Sequence, residues 1–251
     1  MIYASHLLED QEMKKLFCET GMGIESIEFS ISENLDHLDQ KIRSYRERIR
    51  QMGYEHLSMH GPFLDLNPAA FDSKVRDITM YRFQQSYEAA MELGAERLVF
   101  HTGYVPRIYY LYMWPERVSE FFNEFMEGKS GLPVLLENVY DPKPDPIVRV
   151  KELTESPDFN LCLDIGHAHC YSEIPLTGWI EKAGKYVKHI HVHNNDRTWD
   201  DHLGVKGGTI PLEEVKTWMK KYISDATATI ECNTFQDISG WYEELTRWKM
   251  F

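Results

Sequence analysis

Six residues of metal-binding type each close a short apolar run. They are His60 in Ser-Met-His-Gly, His101 in Val-Phe-His-Thr, Glu137 in Leu-Leu-Glu-Asn, Asp164 in Cys-Leu-Asp-Ile-Gly-His, His193 at the end of His-Ile-His-Val-His, and Glu231 in Thr-Ile-Glu-Cys. Singly, a His or Glu at the end of such a run is more often a solvated loop residue. Jointly they are not, because carboxylates that follow runs such as Val-Leu-Leu are costly to bury near one another unless divalent cations offset their repulsion. Three further residues extend the set: His167, three positions past Asp164, and the pair Asp200 and His202 in Trp-Asp-Asp-His-Leu-Gly, whose Asp-x-His spacing suits one cation. All nine are expected to be metal ligands.

These residues can meet only if their segments converge. β-rich runs recur at Met1–Ala4, Ile24–Phe29, His56–His60, Arg97–His101, Val134–Glu137, Asn160–Asp164, Lys188–His193 and Thr227–Glu231. Between them lie amphipathic stretches such as Lys74–Leu93 and Trp114–Met126, with apolar residues at helical spacing. Regular β/α alternation implies a parallel sheet, and eight such units in 251 residues predict a TIM (β/α)8 barrel forming one domain over residues 1–251. The C-terminal strand ends of such a barrel open on one mouth, which would make the ligands neighbours.

A hydrophobic fraction of 43% allows a sizeable core, and no stretch approaches the roughly 20 apolar residues of a membrane span. Met1–His6 lacks the basic and apolar regions of a secretory signal, so the expected location is cytoplasmic. Four cysteines (Cys18, Cys162, Cys170 and Cys232) without CxxC pairing are expected to be reduced. A formal charge of -13 repels polyanions, so nucleic acid is disfavoured as a partner and a small anionic or sugar substrate fits better. A homo-oligomer is compatible with the sequence.

The ligand pattern resembles the endonuclease IV and xylose isomerase-like superfamily of TIM barrels from roughly His60 onward. The strongest anchors are Asp164-x-x-His167 and His193-Asn-Asn-Asp196 followed by Asp200-x-His202. The resemblance implies up to three zinc ions. His60, His101 and Glu137 would hold one; Glu137 would bridge to a second held with Asp164, His193 and Glu231; His167, Asp200 and His202 would hold a third. His189, His191 and His193 share one strand face; His193 is taken as the ligand because Asn-Asn-Asp follows it, leaving His191 behind it.

Carboxylate-bridged cations lower the pKa of a shared water and clamp the oxygens of an in-line displacement at phosphorus. Four carboxylates and three Zn²⁺ leave a formal local charge of about +2, which favours an anionic substrate. Hydrolysis of a small phosphoester or sugar phosphate is therefore the leading expectation, with Glu137, Glu231 and His167 in the chemistry. Two departures from endonuclease IV argue against duplex DNA: the absence of Arg-rich loops, and an extra residue in Leu203-Gly204-Val205-Lys206-Gly207-Gly208. The alternative implied by the same superfamily is a sugar or sugar-phosphate isomerase or epimerase. It would use one Mn²⁺ or Mg²⁺ on Glu137, Asp164, His193 and Glu231, with Glu137 and Glu231 as acid and base. A DNA abasic-site endonuclease and a non-catalytic binding barrel are less favoured. Tyr104–Trp114, rich in aromatics, is expected to pack an outer helix or a dimer contact rather than stack on a ligand, and Lys206 to be a solvated loop residue.

Overall fold

Side chains alternate between two environments along every strand, and this alternation builds the molecule. In the computed structural model, which describes residues 1–251, the strands are β1 (Ile2–Ser5), β2 (Gly23–Ser26), β3 (Leu57–His60), β4 (Leu98–His101), β5 (Val134–Glu137), β6 (Phe159–Asp164), β7 (Val187–Val192) and β8 (Thr227–Ile230). Each pairs in parallel with its sequence neighbours, and β1 pairs with β8 to close the barrel. Outward-facing residues such as Ile24, Met59, Phe100, Leu136, Leu163, Ile190 and Ala228 join one large apolar core beneath the helices. Burial against helices on every side is what makes a parallel sheet stable.

The helices are α1 (Asp10–Thr20), α2 (Ser32–Leu35), α3 (Leu38–Met52), α4 (Ser73–Leu93), α5 (Trp114–Met126), α6 (Asp145–Leu153), α7 (Ile165–Tyr171), α8 (Leu176–Ala183), α9 (Leu212–Tyr222) and α10 (Phe235–Trp248). The Asp72 carboxylate accepts from the Lys74 amide (2.8 Å) at the start of α4, and Gly94 ends that helix at φ 72°, the left-handed conformation that glycine adopts without a steric penalty. Thr234 caps α10 by accepting from the Asp237 amide at 3.1 Å.

The strand expected over Ile24–Phe29 stops at Ser26. There the Ser26 hydroxyl accepts from the Glu28 amide (3.2 Å), and Glu28–Ser30 tightens into a 3₁₀ turn that sinks Phe29 against Tyr45. His193 and Glu231 lie one residue past the ends of their strands. In the Tyr104–Trp114 segment, Tyr104 and Trp114 are buried edge to face, whereas Tyr110 and Tyr112 are exposed. Lys206 is exposed. No helix is long and apolar enough to cross a membrane.

Candidate active site

The C-terminal strand ends, the start of α7 and the loop after β7 bring all nine sequence-predicted ligands to one mouth. On the β3–β5 side, His60 Nε2 lies 3.1 Å from His101 Nε2 and 3.3 Å from Glu137 Oε2, and His101 Nε2 lies 3.7 Å from the same oxygen. On the opposite side, Asp200 Oδ2 is 3.0 Å from His167 Nε2 and 3.3 Å from His202 Nε2. His193 Nε2 sits 3.2 Å from Asp164 Oδ1 and 3.5 Å from Asp200 Oδ1, its ring stacked on that of His202. Glu137 joins the two sides, because its Oε1 is 3.2 Å from His167 Nδ1.

Three of these histidines are oriented in the same manner. The Nδ1–H groups of His60, His167 and His202 donate to the backbone carbonyls of Gly61 (2.8 Å), Asn138 (3.0 Å) and Glu231 (2.7 Å). That hydrogen bond sets the tautomer and leaves an Nε2 lone pair facing the mouth, the usual preparation of a metal-binding imidazole. Asp164 begins α7 and caps it, accepting from the His167 amide at 2.7 Å, so helix capping fixes the Asp164-x-x-His167 spacing. Gly166 is required by close approach: a Cβ there would lie 2.0 Å from the His193 ring.

The loop holding Asp200 and His202 is pinned at its base. Asn194 and Leu203 exchange backbone hydrogen bonds of 2.9 and 2.8 Å, and the Leu203 carbonyl also accepts from the Trp241 indole at 3.1 Å. On the other side, buried Asp141 braces two exit loops, with its Oδ2 accepting from the Thr102 hydroxyl (2.8 Å) and the Val139 amide (3.0 Å). Asp141 opens the run Asp-Pro-Lys-Pro-Asp-Pro, whose prolines stiffen the turn it braces.

His191, which the sequence reading set behind the ligand His193, lies beneath the centre. Its Nδ1 is 3.3 Å from Glu137 Oε2 and 3.4 Å from Glu231 Oε1, while its Nε2 is 3.0 Å from Glu25 Oε1. Glu25, which sequence reasoning did not single out, is fully buried; its Oε2 accepts from the hydroxyls of Ser58 (2.6 Å) and Thr229 (2.9 Å). The signal that could have found it is a lone Glu on the inward register of the Gly-Ile-Glu-Ser strand.

Electrostatics shows what the centre lacks. Burial disfavours the charged form of Glu137, yet His191 and His101 hold its carboxyl well below the usual range. Burial likewise opposes a charged His167, but Asp164, Asp200 and Glu137 hold it well above its ordinary value. Burial pushes His101 down to about 3, whereas Asp200 outweighs burial at His202 and lifts it to about 9. Without metal, the carboxylates thus take their countercharge from protonated imidazoles. Both Glu137 oxygens, His193 Nδ1 and Asp200 Oδ1 are buried with no hydrogen-bond partner. The Glu137 oxygens and Asp200 Oδ1 lie 3.2–3.7 Å from imidazole nitrogens of His60, His101, His167 and His193, a spacing that fits divalent cations, since ligand atoms about 2.0–2.1 Å from a tetrahedral ion lie about 3.3 Å apart. His167, His193, Asp200 and His202 form one such group, and His60, His101 and Glu137 another.

A cavity of about 720 Å³ opens above this floor. A family model described as xylose isomerase-like TIM barrel matches residues 20–249. The protein MJ1311 of Methanocaldococcus jannaschii is 27% identical over 223 residues, covering 82% of this chain and 74% of that protein. Among solved structures, a D-tagatose 3-epimerase-like protein superposes with a TM-score of 0.79 at 23% identity, over 98% of this chain and 96% of that one. The TTHB071 protein of Thermus thermophilus, soaked with zinc chloride, gives 0.79 at 25% identity over 98% of both chains.

Proposed function

The chain belongs to the xylose isomerase-like TIM barrel family, and from that premise we propose that it is a divalent-metal-dependent epimerase or isomerase acting on a sugar. This reverses the order expected from the sequence, where phosphoester hydrolysis led. The observation that carries the reading is the convergence of Glu137 and Glu231, from strands on different sides of the barrel, to within 3.3 and 3.4 Å of the same His191 nitrogen beneath the cavity. Two carboxylates so placed can serve both faces of a sugar carbon next to a carbonyl. The fold-level likeness to a D-tagatose 3-epimerase-like protein supports the same chemistry.

In this mechanism the ionised carboxylate of one of the pair takes the proton from the carbon next to the carbonyl. The other, carrying a proton, returns one to the opposite face and inverts the centre; exchange with water resets the pair. A cation held by Glu137, Asp164, His193 and Glu231 would supply the Lewis acidity that polarises the carbonyl and makes that carbon acidic. Glu25 and His191 support the two carboxylates from below, and His167 lies where it can hydrogen-bond a sugar hydroxyl.

A second reading, multi-metal hydrolysis of a phosphoester, is favoured by one specific observation. His60, His167 and His202, outside the four-residue set, have their Nε2 atoms prepared by backbone carbonyls. Incubating the metal-loaded protein in D₂O with ketohexoses and hexose phosphates separates the two. Deuterium at the carbon beside the carbonyl is the expected result, and phosphate release without deuterium would overturn the proposal. Elemental analysis adds an independent count, since one bound ion per chain accords with isomerisation and three with hydrolysis.

A further inference from the structure

The cavity walls say what else the substrate carries. Of the side chains that line it, none is Lys or Arg; the imidazoles of His60, His101, His167 and His202 belong to the metal-binding floor, and away from that floor the one charged side chain is the acidic Asp65. One wall is apolar and comes from the loop after β3, with Phe63, Leu64 and Leu66 facing Leu7 and Ile27 from the loops after β1 and β2. Phe63 stacks on the His101 ring at 4.4 Å, so the apolar wall runs directly into the metal-binding floor. Leu64 is 68% exposed, with nothing in the chain covering it.

This wall is built rather than loose. The Asn67 amide donates to the Gly103 carbonyl (2.7 Å) and its Oδ1 accepts from the Ala69 amide (2.7 Å), while the Arg117 guanidinium donates to the carbonyls of Ala69 and Ala70 at 3.1 and 2.6 Å. Arg117 is thereby committed to the backbone and turned away from the cavity. A phosphate on a sugar carbon remote from the reacting one would meet acidic or apolar neighbours here and no cation, which costs desolvation without return. An apolar substituent would cover Leu64 and Phe63, and about 720 Å³ lies in the range of roughly 300–1,000 Å³ that takes drug-sized ligands rather than one hexose.

We propose that the substrate is an uncharged sugar derivative bearing an apolar, ring-sized substituent, a glycoside with an apolar aglycone whose sugar ring carries a keto group beside the reacting carbon, with the sugar over Glu137 and Glu231 and the substituent against the Phe63–Leu66 wall. This rests on the epimerase reading for the sugar part alone. The test is calorimetric binding of matched probes to the metal-loaded protein: methyl and phenyl glycosides of three common hexoses, the parent hexoses, and their 6-phosphates. At least one phenyl glycoside should bind about tenfold or more tighter than its methyl partner. The same hexose 6-phosphate should bind more weakly than its parent. Leu64→Ser, at an exposed position, should shrink the phenyl advantage at least threefold, and Leu64→Arg should improve the phosphate relative to its parent.

Equal binding of phenyl and methyl glycosides, no phenyl glycoside bound at all, or a 6-phosphate bound tighter than its parent would each overturn the proposal. Deuterium exchange into free ketohexoses keeps the two readings apart. Exchange that proceeds while the phenyl preference is missing removes this inference and leaves the epimerase; a Leu64-dependent phenyl preference without exchange into any sugar does the reverse.

Discussion

Beneath the mouth, the inside of the barrel is divided. From β4 to β6 the inward residues are Val99, Leu135 and Cys162, which form a small apolar cluster of their own. From β7 round through β8 and β2 to β3 they are His189, His191, Thr229, Glu25 and Ser58, all fully buried and linked through the Glu25 carboxylate. The two regions have similar burial and opposite chemistry. The apolar half needs nothing but its own packing. The polar half holds a buried carboxylate that is tolerable only because two imidazoles and two hydroxyls surround it, and a charge kept there at such cost implies a task above it. That task is to hold Glu137 and Glu231 through His191, whose Nε2 is anchored on Glu25.

The comparison can be broken or sharpened by substitution. The largest effect is expected at the joint between the halves: Glu137→Gln should lower turnover about 10²–10⁴-fold and lose more metal than His202→Ala, which touches one ligand group. Equal metal content in both variants and the parent, by elemental analysis, would mean that these residues are not ligands. Next is a matched pair beneath the floor. Glu25→Ala, which strands His189 and His191 in the core, should cost about 3–5 kcal/mol in denaturant unfolding and weaken metal binding about 10–100-fold. Leu135→Ala should cost about 2–5 kcal/mol yet leave metal affinity unchanged. If the two variants lose metal alike, the division between halves has no functional meaning.

A smaller, local effect follows at Gly166. Alanine there forces the His193 ring aside, and metal affinity measured by chelator competition should fall by about tenfold with little change in unfolding midpoint. The smallest concerns Asp141, whose burial, outweighing the hydrogen bonds from Val139 and Thr102, pushes it up to about 6 from 3.8. A raised folded-state value means that its stabilising contribution is full below pH 3.8 and is lost as pH rises through 6. Asp141→Asn should therefore stabilise the metal-free protein by about 1–2 kcal/mol at pH 8, and the gain should vanish near pH 4 in a pH series of denaturant midpoints.

What could be read from the sequence was what local pattern controls. The apolar strand runs and helical spacing predicted the barrel, and the residue types closing those runs predicted a crowded mouth. The end of β2 was misplaced because Ser26 accepting from the Glu28 amide is a turn signal that an apolar run masks. Glu25 was overlooked because its meaning depends on Ser58 and Thr229, 33 and 204 residues away. The choice between His191 and His193 could not be made from strand period alone, since both face inward; only depth in the barrel separates them. The absence of cations from the cavity wall was equally unreadable, because Arg117 is close in space but turned into the backbone of the β3 loop.

The pinned base of the loop that holds Asp200 and His202 bears on the order of events in a working cycle. Such a loop would ordinarily be the gate through which an ion escapes, but here the Asn194–Leu203 pair and the Trp241 anchor hold its base, and His202 Nδ1 donates to the Glu231 carbonyl. An ion held on the floor would then leave through the cavity, past whatever fills it. Substrate and ion would then depart in a fixed sequence, substrate first, so that a chelator should strip idle protein faster than protein kept saturated.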